Sequence, residues 1–195
     1  MTLDILLKTL RLSLLRPKDG LRVVLNWQLS LLESALALAL MAVLSAGLIS
    51  LVIGPLPPGM DPVSAAMLSN PVYLAIVQLV GLAMISLFLH LLGRVVGGRG
   101  SFPQAVAMMA WLEALLILIS VVQSAALLLL PPLGLLLVPA GMMLSVWLIT
   151  NFVAELHGFP SLLLTLLGVV AAFVGAVIAM IFVFFLLFVL GILHV

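Results

Sequence analysis

The stretch Arg94-Val-Val-Gly-Gly-Arg-Gly-Ser-Phe-Pro-Gln-Ala105 runs on into Val-Ala-Met-Met-Ala-Trp-Leu-Glu113, and it decides the fold. A basic, glycine-rich loop gives way at Gln104 to an apolar run that reaches Leu130 and carries one carboxylic acid. Such a run exceeds the roughly 20 apolar residues that cross a bilayer as a helix. Outward from it the pattern repeats, with further apolar runs over about residues 28–53, 72–92, 133–156 and 161–192. Gly54-Pro-Leu-Pro-Pro-Gly59, Pro131-Pro132 and Gly158-Phe-Pro160 separate them, and none of these can continue a helix.

Composition agrees: 66% of the 195 residues are apolar, 7% are charged, and the mean hydropathy is +1.52. A chain of this kind folds in lipid, where every backbone hydrogen bond must be made internally. The long unbroken runs call for helices; a barrel would show segments of about 10 alternating residues. The fold class is all-α: a polytopic membrane bundle of five transmembrane helices with a short N-terminal amphipathic interfacial helix. Residues 1–27 form a basic N-terminal segment and residues 28–195 a single transmembrane domain. With no cysteine in the chain, disulfides, thiolate metal sites and thiol catalysis are excluded.

In the N-terminal segment Leu3, Leu6, Leu7, Leu10 and Leu14 share one helical stripe, with Asp4, Lys8 and Arg11 to one side. Charge interrupts it too often for the apolar core of a signal peptide, and Pro17 ends the helix. Lys8, Arg11, Arg16, Lys18 and Arg22 either cap the first span or anchor to anionic lipid, and Arg94 and Arg99 can hold lipid phosphate in the same way. The exposed segments carry five, none, two and no basic residues in order. By the positive-inside rule the N-terminus and the glycine-rich loop are cytoplasmic, and an odd number of spans sends the C-terminus to the other side. If residues 104–156 formed one re-entrant element instead, the C-terminus would flip.

Ionisable groups at depth mark candidate sites. Glu113 lies nine residues past Gln104, roughly 13 Å into the bilayer at 1.5 Å per residue, with Ser120 and Ser124 on the same face. The strip either lines a polar groove or proton path, or holds a neutral carboxyl bonded across helices. Asn151 and Glu155 share a face of the fourth span, and Glu33, early in the first span, either snorkels to the interface or pairs with a basic group near Arg22. His90, Glu155 and His157 contain metal-ligand chemistry, but the two-residue spacing of Glu155 and His157 splits them between sides of a helix. No metal or cofactor is expected. Gly97, Gly98 and Gly100 read as a tight turn, since no phosphate-binding lysine accompanies them. The signatures of metalloproteases, serine hydrolases and P-loop enzymes are missing. Small residues spaced four apart, Ala42-Ala46-Ser50, Gly168-Ala172-Ala176 and Ala171-Gly175-Ala179, predict helix contacts within the bundle.

The Leu14-Leu-Arg-Pro17 entry to the first span, the Gly97-Gly-Arg-Gly-Ser-Phe-Pro-Gln-Ala105 passage and the five-span layout resemble the Yip domain family, the Ypt-interacting polytopic membrane proteins, in a bacterial form. Eukaryotic relatives carry a longer cytoplasmic N-terminal region and associate with Rab-type GTPases and related membrane proteins. The resemblance implies a non-enzymatic integral membrane protein that organises or shapes membrane; the loop charges add the expectation of a multi-pass inner-membrane protein with a periplasmic C-terminus. Its expected partners are lipids, anionic ones among them, and other integral membrane proteins, with no nucleic acid. A small transporter or permeation subunit using Glu113 is the alternative, though unlike spans in odd number do not divide into inverted repeats.

Overall fold

The protein is described by a computed structural model that covers residues 3–52, 59–60, 65 and 68–190, apart from the side chains of residues 187 and 188. The break after the first span at Gly54–Pro58, Asp61 and the chain end from Gly191 lie outside the described residues. Among those described there are seven helices: α1 Leu3–Leu15, α2 Pro17–Leu25, α3 Leu31–Val52, α4 Pro71–Val95, α5 Phe102–Leu129, α6 Pro131–His157 and α7 Leu162–Val189. The last five are long and apolar enough to cross a membrane, which makes this a multi-pass membrane protein.

Proline sets most of the helix starts. It occupies the first turn of α2, α4, α5 and α6, where its missing N–H is not needed and its fixed φ suits the helix. Pro17 therefore does two things: it stops α1 and begins α2, a second short helix beyond the single N-terminal one expected. The Asn70 side chain caps α4 by accepting from the Val72 and Tyr73 amides. Ser101 and Gln104 form a capping box at α5. The Pro131-Pro132 break holds, and α5 and α6 are separate helices folded back on each other. Gly134 meets Leu127 and Gly141 meets Gln123, so contacts recede from the turn in antiparallel register, and the Gln123 amide donates to the Leu137 carbonyl at 2.7 Å.

Helix α5 is the centre. Every residue from Ala105 to Leu112 is buried, because α2, α3, α4 and α6 enclose it, while α7 packs on α4 and α6 from outside. Buried residues on the other helices fall at the same end: Leu148–Ala154 on α6, Leu82, Ser86, Leu89 and Gly93 on α4, and Ser34, Leu38 and Ala42 on α3. The opposite half is splayed and presents leucine, valine and phenylalanine outward, as lipid-facing surface does. Of the small-residue ladders, Ala42, Ala46, Ala172 and Ala176 are buried, and Gly175 lies against the Phe88 ring. Gly168 and Ala171 touch no neighbouring helix closely.

Candidate functional site

All seven basic residues gather at the well-packed end, six of them exposed and Lys18 half-buried. Helices α1 and α2 form a hairpin there, closed at Gly20, where an added Cβ would stand 2.5 Å from the Ser13 Cα. Of the polar residues of α1, Thr9 and Ser13 are buried, while Asp4, Lys8 and Arg11 are exposed. Thr9 bonds back to the Ile5 carbonyl, and the fully buried Ser13 accepts from the Trp111 indole N–H at 2.9 Å, with Trp27 meeting Trp111 edge to face at 5.4 Å. Leu6, Leu10 and Leu14 of the expected stripe pack on the core, whereas Leu3 and Leu7 stay exposed at the rim.

Arg22 ties the hairpin to the bundle. Its guanidinium bonds both Glu155 oxygens, Nη2 at 3.1 Å from Oε2 and Nε to Oε1, and also reaches Asp19 at 3.2 Å. This fork-on-carboxylate geometry lifts the Arg22 pKa above its ordinary value, first by the hydrogen bond and then by the charge of Glu155. Because the Arg22 side chain is 60% exposed, water screens the pair and its role is orientation more than energy. Glu33 is not Arg22's partner. It accepts from the Ser30 amide at 2.8 Å and hydroxyl at 2.7 Å, closing a capping box at the start of α3.

Beneath the hairpin the glycine-rich loop wraps His157. Gly97 (φ +88°) makes the turn and Gly158 (φ +73°) ends α6, both in the left-handed region. Gly93, Gly98 and Gly100 serve differently, as space. A Cβ on any of them would fall within about 3.1 Å of the His157 ring. The ring stacks on Phe159 at 5.3 Å, and the His157 carbonyl accepts from the Arg99 amide at 3.3 Å. Among the described residues neither ring nitrogen closes a hydrogen bond. Glu155 points away to Arg22, so His90, Glu155 and His157 do not converge, and the described residues contain no three-ligand metal cluster.

The intramembrane residues separate into two places. Glu113, 5% exposed, accepts from the Gln78 amide at 3.0 Å; that amide also reaches the Ser45 hydroxyl at 3.3 Å. These three line a cavity of about 300 Å³ between α3, α4 and α5, together with Ser120 and Ser124. Asn151 is elsewhere: it donates to the Trp147 carbonyl at 2.8 Å and borders an apolar cleft between α6 and α7. Gln78 is the partner that a search for cations at the depth of Glu113 passes over, because an uncharged amide suffices. A lone amide inside a long apolar run was the available signal. Glu113→Gln is expected to keep the Gln78 contact and normal yield, whereas Glu113→Ala should lose about 0.5–2 kcal/mol, read as a lower thermal midpoint in detergent.

No curated protein and no solved structure matches the chain. A family model does: the Yip1 domain matches residues 11–193, from the middle of α1 to past the end of α7. That range takes in the end of α1, all of α2, the glycine-rich loop and all five apolar helices as one unit, and the chain belongs to the Yip1 domain family.

Proposed function

We propose that the protein is a non-enzymatic membrane organiser whose docked hairpin lies in the headgroup region of one leaflet and is held there by anionic lipid. One observation carries this reading. Helix α1 exposes Leu3, Ile5 and Leu7 beside Lys8 and Arg11, while Ser13 and Arg22 fasten the hairpin to α5 and α6. An amphipathic helix sunk to the acyl boundary adds area to one leaflet only, and each Lys or Arg near an anionic surface contributes about 1 kcal/mol. The single-ended distribution of Lys and Arg supports placing that leaflet on the cytoplasmic side of a bacterial inner membrane. Other integral membrane proteins are the second class of partner, in keeping with the family.

Reconstitution of the full chain into vesicles with and without phosphatidylglycerol tests the reading. The expected result is smaller, more highly curved vesicles by cryo-electron microscopy, with the effect stronger on the anionic ones. Vesicles of unchanged diameter in both lipids would end the membrane-shaping idea. Orientation is tested separately: reporters fused after Gly98 and Gly158 should read as cytoplasmic, and those after Gly59 and at Val195 as periplasmic. A cytoplasmic signal at Val195 contradicts the assignment.

A further inference from the structure

The cavity beside Glu113 is out of keeping with its surroundings. It is the place where α3, α4 and α5 turn polar groups toward one another inside an otherwise apolar bundle: Ser45, Gln78, Glu113, Ser120 and Ser124. Apart from Glu113 no lining residue from any of the three helices is titratable or charged, so no side chain there neutralises a carboxylate. The charged groups of the other helices packed on α5 lie at its far end, where Arg22 of α2 and Glu155 of α6 pair with each other. Among the described residues the cavity therefore offers Glu113 no counter-charge, and a proton is the simplest cation to neutralise it.

The spacing of the two serines bears on what the cavity can hold. A metal ion gathers its oxygens within about 2.6 Å of itself, so its ligands lie within roughly 5 Å of one another. Ser120 and Ser124 stand seven and eleven residues past Glu113, roughly 10 and 16 Å along the helix axis. These hydroxyls cannot share an ion with the carboxyl. They mark out a strip, and the strip leads from Glu113 toward the ends of α3 and α5, past Leu48, Ile49 and Val52. A volume of about 300 Å³ accommodates on the order of ten waters at about 30 Å³ each, and polar groups along one wall give them hydrogen-bond partners. In the other direction the path stops: Ala105–Leu112 is buried on all sides, with Met108 at 0% exposure.

We propose that this cavity is a hydrated vestibule through which Glu113 takes up and releases a proton from the side of the membrane that bears the α3–α4 connection, and that the buried first half of α5 closes it to the other side. The site is thus a one-sided proton site and not a through-going path. Gln78 reports its state to α4, and Ser45 to α3, because one amide holds both the Glu113 carboxyl and the Ser45 hydroxyl.

The absence of cysteine allows a direct test on the full chain in membrane. Ser120→Cys and Ser124→Cys are near-isosteric, and Val122→Cys sits at almost the same depth but faces lipid, where Val122 is 55% exposed. Since thiolate reacts and thiolate needs water, a membrane-impermeant methanethiosulfonate should modify Ser120→Cys about tenfold or more faster than Val122→Cys, and from one side only. Equal rates, or reaction from both sides, overturn the vestibule. The proton is read by infrared difference spectroscopy of wild type against Glu113→Gln, which isolates the Glu113 carboxylic-acid carbonyl band. That band should shift within seconds of transfer into deuterated buffer. A band that resists exchange for hours, or no acid band at any pH, overturns proton exchange at Glu113 even if the thiol result stands.

Discussion

Gly93→Leu is expected to abolish accumulation of folded protein. An added Cβ at Gly93 would stand 2.3 Å from the His157 Cε1 and Nε2, and the ring has nowhere to go. Gly98 and Gly100 press it from the loop side, Phe159 stacks on one face, and only 2% of the residue is exposed. Overpacking a core of this kind typically costs about 1–3 kcal/mol, and more where neighbours cannot yield. The clash also lies at the junction of α4, the loop and α6, so all three must move together. Yield of monodisperse protein and thermal midpoint measure the effect. The double variant Gly93→Leu/His157→Ala should recover much of both, and absence of recovery would show that the ring is not what the leucine meets.

Gly20→Leu should detach α1 while leaving the five long helices folded. Here the obstacle is main chain: the Ser13 Cα at 2.5 Å and N at 2.7 Å from the added carbon, neither of which a rotamer change can relieve. Opening the hairpin also removes the buried Ser13 acceptor from Trp111, and an unmatched buried indole N–H adds about 1–3 kcal/mol. Limited trypsinolysis reads the outcome, because Lys8, Arg11 and Lys18 lie on the hairpin and cleavage needs an opened backbone, whereas Pro17 shields the bond after Arg16. Cleavage at these sites should accelerate by an order of magnitude or more, with the rate at Arg94 and Arg99 unchanged. The same variant should lose the vesicle-curving effect. Unchanged cleavage would mean that α1 is not held through Gly20.

The number of spans and most of their starts were legible because hydrocarbon length and proline speak plainly. The arrangement was not. In lipid a leucine facing a helix and a leucine facing acyl chains have the same chemistry, so nothing in the composition of α5 marks it as central. Small residues were a partial guide, reliable at Ala172 and Ala176 and silent at Gly168. Pro17 was legible as a stop but not as a start, since one residue satisfies both rules. For charged groups, nearness in sequence misled: Glu33 lies close to Arg22 along the chain, but its carboxylate is used by Ser30, and the guanidinium finds Glu155 instead. The glycines of the loop were read for their backbone freedom, which only Gly97 uses among Gly97, Gly98 and Gly100. The other two are there for the imidazole of a residue far along the chain.

The Arg22–Glu155 pair spans 133 residues, and that separation orders the events of synthesis. As the chain leaves the ribosome, Gln78 enters the membrane before its acid exists, and the Glu113 contact can close only when the third span arrives. Trp111 then offers Ser13 its first attachment, 98 residues after the hydroxyl was made. Until α6 is complete the hairpin lacks its second tie. The fully tied hairpin is therefore a late product of biogenesis, complete only on chains whose α6 has been inserted as far as Glu155.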